Sequence, residues 1–317
     1  MARYCVIGSL NMDLFATCDR FPERGENVFG KDFKTSPGGK GGNQAVALAF
    51  LEQEVYMIGC LGDDMYGKRY MTHLDNAGVE TSGIEMIEGI SSGVALIELE
   101  INGAYRVIVM PGSNAEVTVN YVKSQQSILD YCDYVMLQGE IPYETIFYSA
   151  RKAFEKGKIT IFDPDPVEQY PDELYQYISI LTPNKRELFK LTGIYPNDDH
   201  AIFTAAQSLR DRGVGEVILT CGAEGAYYIG EQGFFQIDTI RDTYVVDTTA
   251  TGDAFNSGLV YALGDGYSIG NAIRFANSVA SMSVERLGAH TAMPILSEAQ
   301  DRYLSSVLRK RVIHLDQ

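Results

Sequence analysis

The stretch GNQAVALAFLEQEVYMIGC, residues 42–60, joins the two patterns from which most of this chain is built. Its first part has apolar residues at the three- and four-residue spacing of a helix, and its last part, VYMIGC, is the short apolar run of a buried strand. Helices that alternate with such strands are typical of a parallel sheet covered on both faces. The stretch therefore predicts a sheet of this kind.

The same alternation recurs along the chain. The runs YCVIG, YVMLQG, KITIFD, ISILTPN and EVILTCG predict further buried strands, and GKRYMTHLDNAG, YETIFYSARKAFEKG and AIFTAAQSLRDRG predict helices that end near glycine. No linker or internal repeat divides the sequence. We therefore expect residues 1–317 to form a single α/β domain.

Two segments interrupt the alternation, at about residues 14–36 and 92–110. The first is rich in Phe, charged residues and turn formers. The second has strand-like runs on either side of Asn102-Gly103, which is the strongest short signal for a β-hairpin. We interpret both as extended segments that project from the main sheet and pair as a small lid.

Charge argues against nucleic acids and membranes as partners. The chain has 26 Lys and Arg against 42 Asp and Glu, and its formal charge of −16 repels phosphate backbones and anionic lipids over most of the surface. One basic cluster, residues 309–311, follows an amphipathic stretch near the C-terminal end of the sequence. We interpret it as the end of a helix, where cations complement the helix dipole.

The cysteines and the first residues indicate a cytoplasmic protein. Five widely spaced cysteines without a CxxC pair support neither a disulfide framework nor a zinc site. The opening MARYCVIGSL is a strand pattern and not a secretory signal, and no segment has 18 uncharged apolar residues in a row. We therefore expect a cytoplasmic location.

Three polar motifs of the N-terminal half lie where predicted strands end, which is where open α/β sheets bind ligands. In GSLNMD, Asn11 and Asp13 point the same way on an extended segment and could bind adjacent hydroxyls, although an ordinary turn is the alternative. In SPGGKGGNQAVALAF, four glycines around Lys40 indicate a ligand site that matches neither the Walker nor the dinucleotide pattern. Glu140 either faces a ligand or caps the helix that begins near Pro142.

Three more motifs follow in the C-terminal half. Asn184 and Glu187 have the spacing of a capping box. The glycines of VILTCGAEGAYYIG either expose N–H groups to an anion or form a hairpin turn. In VDTTATGDAFNSG, Asp253 lies at the start of a predicted helix, either as its cap or as a reacting group, and the amides of residues 250–252 would face the same point in space.

Six motifs of the chain resemble, in order and over nearly its whole length, those of the ribokinase-like (PfkB) carbohydrate kinases. They are GSLNMD, GGKGGNQA, TPNKRE, TCGAEG, DTTATGDAFNSG and ERLGAHTAMP. The resemblance implies a doubly wound, mostly parallel sheet flanked by helices, with a small β-sheet lid that covers the sugar and often pairs two subunits. It also implies ATP-dependent phosphorylation of a primary hydroxyl. The motifs are most similar to those of the ribokinase branch, which implies conversion of D-ribose to D-ribose 5-phosphate.

Other functions are compatible with the same motifs. A kinase of fructose, of another ketose or of a nucleoside is the first alternative, although the run FDPDP, residues 162–166, lacks a fructokinase-like pattern and favours a pentose. A sugar-binding regulator without catalysis is the second alternative. A dehydrogenase is disfavoured because no GxGxxG follows a predicted strand.

The resemblance also assigns roles to individual residues. It makes Asp253 the base, with the amides of Ala250, Thr251 and Gly252 as the anion hole, and an aspartate with the reference pKa of about 3.9 is ionised at neutral pH. The family's sugar-contacting positions match Asn11, Asp13, Gly39, Lys40, Asn43 and Glu140, together with Asp253. Its nucleotide-binding positions match Asn184, Thr220, Gly222, Gly225 and Asn277.

The implied ligands are a sugar, ATP and two kinds of cation. Asn184 and Glu187 match the motif that holds the Mg²⁺ of the nucleotide through water. A K⁺-like ion would be framed, largely by backbone carbonyls, by Asp247, Thr249, Ser283, Arg286 and Gly288. Two residues depart from the pattern: Ala292 replaces a common hydroxyl, and Thr251 replaces a smaller residue, so that its hydroxyl either crowds the anion hole or adds a donor. A homodimer through the lid is expected.

Overall fold

The computed structural model describes residues 2–168, 170–240, 243–307 and 309–315. Its strands are β1 Arg3–Ile7, β2 Asn11–Cys18, β3 Asp32–Gly38, β4 Glu54–Gly62, β5 Glu80–Ile87, β6 Gly93–Glu100, β7 Tyr105–Met110, β8 Tyr134–Gln138, β9 Ile159–Asp163, β10 Ile180–Leu181, β11 Glu216–Thr220, β12 Ala226–Gly230, β13 Gly233–Ile237 and β14 Lys310–Val312. Its helices are α1 Lys40–Phe50, α2 Met65–Ala77, α3 Val119–Ser124, α4 Gln126–Tyr131, α5 Tyr143–Glu155, α6 Asp172–Tyr175, α7 Lys185–Thr192, α8 Asp199–Asp211, α9 Thr251–Gly264, α10 Ile269–Ser283 and α11 Leu296–Ser305. None of the helices within these ranges is long and apolar enough to cross a membrane.

The larger sheet has the strand order β14-β13-β12-β11-β10-β9-β8-β1-β4-β5. Neighbouring strands from β11 to β5 in this order are parallel, and β12, β13 and β14 are added antiparallel at one edge. The prediction of a mostly parallel sheet flanked by helices is therefore confirmed. The run ISILTPN contributes only the two-residue strand β10.

Both faces of the larger sheet are covered by helices, and successive side chains of each strand point to opposite faces. In β1, Tyr4 and Val6 pack into one core with α1, α9 and α10, while Cys5 and Ile7 pack into a second core with α5 and α8. All four side chains are fully buried. Apolar residues at the last four positions of β1 are therefore required, and they explain the uninterrupted run in the sequence.

A separate four-stranded sheet has the order β3-β2-β6-β7. Its strands lie in and around the two segments that interrupt the helix–strand alternation, and β6 and β7 pair antiparallel around the turn that contains Asn102 and Gly103. Strand β2 follows β1 after only three residues, and β3 leads through Gly39 into α1. The small sheet is therefore attached at the carboxyl end of β1.

The basic cluster at residues 309–311 is not a helix end, and this prediction is wrong. Helix α11 ends at Ser305, and Lys310 and Arg311 belong to β14, which pairs with β13. The amide of Asp238 also donates to the carbonyl oxygen of Arg309 at 3.1 Å. Tertiary pairing with an available sheet edge overrides the helical pattern of the preceding residues, because it satisfies the backbone groups of both strands.

Candidate active site

Asp253 is a buried side chain of the first turn of α9, and only 3% of its surface is exposed. Its two carboxylate oxygens accept hydrogen bonds from α1, Oδ2 from Asn43 Nδ2 at 2.8 Å and Oδ1 from Gln44 Nε2 at 2.9 Å. The cap position of α9 is occupied by Ala250, which makes no side-chain capping bond. Asp253 is therefore not a helix cap.

The burial of Asp253 changes its acidity. Desolvation raises its pKa to about 7; the Lys40 ammonium acts in the opposite direction, and the Asp163 carboxylate raises the pKa further. The ordinary aspartate pKa that was expected from the sequence is therefore wrong for this side chain. A carboxyl group with a pKa close to the operating pH has the acidity that suits a general base.

Lys40 begins α1 and is the cation among the carboxylates of this site. Its Nζ lies 3.2 Å from Asp163 Oδ2 and 3.1 Å from Asp165 Oδ2. Burial alone would lower the pKa of the ammonium, but the carboxylates of Asp163, Asp253, Asp165 and Glu140 raise it well above its usual value. Lys40 is therefore charged, and it partly neutralises a cluster of acidic groups.

The predicted sugar-contacting side chains lie around the same point. Asp13 is buried, and desolvation together with the charges of Glu140 and Asp253 raises its pKa to about 7. Asn11 Oδ1 accepts from Asn114 Nδ2 at 2.7 Å. Glu140 Oε2 accepts from the backbone N–H of Lys40 at 3.0 Å, so it binds the start of α1 and not the helix near Pro142.

Two glycines, one before α1 and one in its first turn, allow this backbone to approach the connection between β1 and β2 closely. Gly39 has a φ of 83°, and a Cβ at this position would lie 2.7 Å from the backbone nitrogen of Asn11. A Cβ on Gly41 would lie 2.7 Å from the backbone of Gly8 and Ser9. Any side chain at either position would push α1, and with it Lys40 and Asn43, away from the acidic cluster.

A cavity of about 1070 Å³ lies beside this cluster, at the carboxyl end of β11. It is lined by all five residues predicted to bind a nucleotide, Asn184, Thr220, Gly222, Gly225 and Asn277, and by Thr251 and Gly252 of the predicted anion hole. The segment between β11 and β12 is a short turn over residues 222–224, and Gly225 has a φ of 84°. The fold therefore brings together residues as far apart in the sequence as Asn184 and Asn277.

Asn184 and Glu187 form the predicted capping box at the start of α7. Asn184 Oδ1 accepts from the N–H of Glu187 at 3.0 Å, and Glu187 Oε2 accepts from the N–H of Asn184 at 2.8 Å. Burial, and then the charge of Asp163, raise the pKa of Glu187 to about 7. Both carboxylate oxygens of Glu187 accept hydrogen bonds from Asn184. Carboxylate and amide oxygens are the ligands that Mg²⁺ prefers, so this pair has the chemistry of a cation site.

Comparison with known proteins identifies the family. The sequence pattern of the pfkB family carbohydrate kinases matches residues 1–296. The chain belongs to this family. It is 35% identical over 304 residues to the ribokinase of Bacillus subtilis (strain 168), covering 95% of this chain and 99% of that relative. It is also 30% identical over 301 residues to the deoxyribokinase of Salmonella typhi, covering 95% and 98% of the two chains.

A solved structure agrees with this family membership. Arabidopsis thaliana ribokinase complexed with ribose and ATP superposes with a TM-score of 0.91 at 30% identity, covering 96% of this chain and 100% of that one. The predicted fold and family are therefore confirmed.

Thr251, which the resemblance marks as a departure in the predicted anion hole, has its hydroxyl bound within its own turn. Its Oγ1 donates to the carbonyl oxygen of Thr248 at 2.9 Å, so the hydroxyl is held by its own turn. Its backbone N–H also points to that carbonyl, at 3.3 Å. Of the three predicted amides, this one already has a partner inside the protein, and the geometry favours Gly252 as the more open donor.

Asp247 joins two of the predicted cation-binding residues, Thr249 and Gly288. Its Oδ1 accepts from the Thr249 hydroxyl at 2.7 Å, and its Oδ2 accepts from the N–H of Gly288 at 2.9 Å. The Ser283 hydroxyl donates to its own helix, and the Arg286 guanidinium pairs with Glu298. The hydroxyl oxygens of Thr249 and Ser283 keep their lone pairs while they donate, so they and the backbone carbonyl oxygens could bind a K⁺-like ion, whereas Ala292 offers only a methyl group.

Sequence reasoning missed several residues of the site. Asp163, at the end of β9, binds Lys40 and accepts from Asn256 Nδ2 at 3.2 Å, and Gln44 binds Asp253. The Ser9 hydroxyl donates to Glu140. Position at a strand end could have indicated Asp163, which follows the apolar run ITIF. No local pattern distinguishes Gln44 from an ordinary residue of α1.

Proposed function

We propose that the protein transfers the terminal phosphoryl group of ATP to the primary hydroxyl of D-ribose, which forms D-ribose 5-phosphate and ADP. The observation that carries the proposal is the position of Asp253. This buried carboxylate lies beside Lys40 and the hydroxyl-binding groups, and the adjacent Gly252 lines the nucleotide cavity. A sugar bound at the hydroxyl-binding groups and a nucleotide bound in the cavity would meet at the start of α9.

In this mechanism Asp253 accepts the proton of the attacking hydroxyl, whose oxygen bonds to the γ-phosphorus while the bond to the ADP oxygen breaks. Asn43 and Gln44 hold the carboxylate in place from α1. The N–H groups at the start of α9, with the helix dipole, stabilise the charge on the transferring group. Phosphoryl transfer depends mainly on such positioning and charge stabilisation.

The sugar would be bound by the small polar groups on the small-sheet side. Asn11, Asp13 and Glu140 offer amide and carboxylate oxygens to hydroxyl groups, with Asn43 and Lys40 as donors beside them. Asn43 Oδ1 is buried and has no hydrogen-bond partner among the described residues. A bound hydroxyl would satisfy it, which removes the cost of burying an unpaired acceptor.

The nucleotide would occupy the adjacent cavity. Thr220, Gly222 and Gly225 would contact its phosphates, and Asn277 its adenine. Asn184 and Glu187 would hold the Mg²⁺ of the nucleotide through water, and this ion would neutralise phosphate charge. We also propose that Asp247 orders a K⁺ site at Thr249, Ser283, Arg286 and Gly288 through its bonds to Thr249 and Gly288. The expected location is the cytoplasm.

The proposal is tested by incubating the purified protein with ATP, Mg²⁺ and K⁺ over a panel of sugars and nucleosides. We expect ADP formation to be fastest with D-ribose, with 2-deoxyribose, fructose, other ketoses and nucleosides as the competing acceptors. A higher kcat/KM for another acceptor would replace ribose as the substrate. Sugar binding without any ADP formation would instead support the non-catalytic regulator.

We further propose that two copies pair through the small sheet. Its outer strand β7 is exposed along its whole length, and Tyr105, Val107 and Val109, which alternate onto one face, are 70%, 46% and 51% exposed. By register, Val107 lies on the same face as Asp13. Among the described residues nothing pairs with the outer edge of β7, and an apolar face beside an open edge favours association. A second copy offers an identical face and edge.

If two copies pair through the small sheet, a charged residue placed on its apolar face should change the mass of the species in solution. Val107→Glu is expected to shift the sedimenting species from two protomers to one, because the pair would bury a carboxylate in an apolar interface. Leu304→Glu is the matched control, since Leu304 is 78% exposed but lies on α11, away from the small sheet. A wild-type monomer, or a Val107→Glu dimer, would contradict the proposed pairing.

A further inference from the structure

The C-terminal strand β14 borders the nucleotide cavity, although it lies beyond residues 1–296, which match the family pattern. Because β12, β13 and β14 run antiparallel in succession, β14 begins at the same edge of the sheet at which β11 ends. Arg309, Lys310 and Arg311 all line the cavity. Part of its wall is therefore built by residues outside the sequence that matches the family.

The three basic side chains have different surroundings. Arg311 is engaged, with Nη1 2.6 Å from Asp199 Oδ2. The Lys310 ammonium lies 3.6 Å from the centre of the Phe235 ring. Arg309 is exposed, and its guanidinium makes no ion pair or side-chain hydrogen bond within the described residues. Arg309 is thus the member of the cluster whose cationic group is available to a ligand.

The backbone places Arg309 next to Asn277. The N–H of Asp238 donates to the carbonyl oxygen of Arg309 at 3.1 Å, and the carbonyl oxygen of the same Asp238 accepts from Asn277 Nδ2 at 3.1 Å. Arg309 and Asn277 therefore both bond the backbone of one residue, Asp238, which directly follows the end of β13. Since Asn277 is the residue proposed to contact adenine, Arg309 lies at the nucleoside end of the cavity.

We propose that Arg309 is a base-binding residue, whose planar guanidinium stacks on the purine ring of the nucleotide. This inference rests on the proposed function, which supplies the nucleotide. A guanidinium is flat and weakly hydrated and stacks on aromatic rings, whereas a lysine ammonium is a compact charge that cannot stack in this way. A contact of this kind is made with the base, so its contribution to the binding affinity should be the same whatever the number of phosphates on the nucleotide.

The test is calorimetric titration of AMP, ADP and ATP, without sugar, into the wild-type protein, Arg309→Gln, Arg309→Lys and Lys310→Gln. Both Arg309 variants are expected to raise the Kd of all three nucleotides by about three- to tenfold, because a stacked cation contributes on this scale. Lys310→Gln is the matched control on the same strand and is expected to change Kd by less than about twofold, since its ammonium already faces Phe235.

Four results would overturn the inference. A loss that grows from AMP to ATP and is rescued by Arg309→Lys would assign the guanidinium to the phosphates. An equal loss in Lys310→Gln would point to the strand's stability or net charge, and unchanged binding in both Arg309 variants would mean that no contact exists. Failure of the wild-type protein to bind any of the three nucleotides, also after D-ribose is added, would overturn the proposed function itself.

Discussion

Asp253→Asn is expected to lower kcat by about 10²- to 10⁴-fold, which is the usual contribution of a positioned general base. The KM for ATP should change little, because Asp253 lies on α9 between the two sites and contacts α1 through Asn43 and Gln44. The measurement is steady-state ADP formation, with nucleotide binding determined separately. A kcat within tenfold of the wild type, or comparable losses in turnover and nucleotide binding, would show that Asp253 is not the base.

The substitution is compatible with the fold. The amide nitrogen introduced by the substitution could face Asn43 Nδ2, which now donates to Asp253, and two donors would then oppose each other. Asn43 Oδ1 has no hydrogen-bond partner among the described residues, so a flip of the Asn43 amide would turn this oxygen towards the new N–H as its acceptor. Asp165→Asn is the matched control. It removes a carboxylate 3.1 Å from the Lys40 ammonium without removing a proposed base, and kcat should fall less than about tenfold.

The pH dependence follows from the same assignment. The base must be unprotonated, and its pKa is raised to about 7, so kcat/KM for the sugar should fall about tenfold or more per pH unit below that value and level off above it. Asp13, with a pKa also near 7, titrates in the same range. Because Asp163 raises the pKa of Asp253, Asp163→Asn should move the inflection to lower pH.

Gly252→Ala is expected to lower kcat on the order of 10²-fold while leaving the protein folded. A Cβ at Gly252 would meet no protein atom within 4 Å, so the methyl group would project into open space at the cavity. That space is where the transferring phosphoryl group would approach the N–H groups of α9, and a displacement of about 1 Å can cost this much. Alanine also favours the helix over glycine by up to about 1 kcal/mol.

Gly270→Ala is the control for this prediction. Gly270 is the second residue of α10, as Gly252 is of α9, and a Cβ there would come no closer than 3.9 Å, to Lys310 Nζ. Both variants should melt at or slightly above the wild-type temperature, and only Gly252→Ala should lose activity. Full activity in Gly252→Ala would contradict the assignment of the anion hole to this position.

Local patterns were sufficient for the larger part of the fold. The strands β1, β4 and β8 are apolar at nearly every position because both faces of the sheet are covered, and this requirement is visible as an uninterrupted apolar run. The hairpin at Asn102-Gly103 and the capping box of Asn184 and Glu187 were predictable for the same reason. Each depends on residues that are at most a few positions apart.

The C-terminal strand was not predictable in this way. The residues before Arg309 have a helical pattern, and α11 does form, but the following segment pairs with β13, some 75 residues earlier in the chain. An edge that is open for pairing is a property of the assembled sheet. The cationic residues therefore line a cavity and do not end a helix.

The sequence alone determined the alternation of strands and helices, the glycines before Lys40 and the polar residues at the strand ends, because spacing and backbone conformation are local properties. Only the tertiary structure decided which of these groups share one environment. Asp253 meets Gln44 across 209 positions, Lys40 meets Asp163 across 123, and burial raises the pKa of Asp253 to about 7. The acidity of Asp253 arises from desolvation and neighbouring charges, which exist only after the chain has folded.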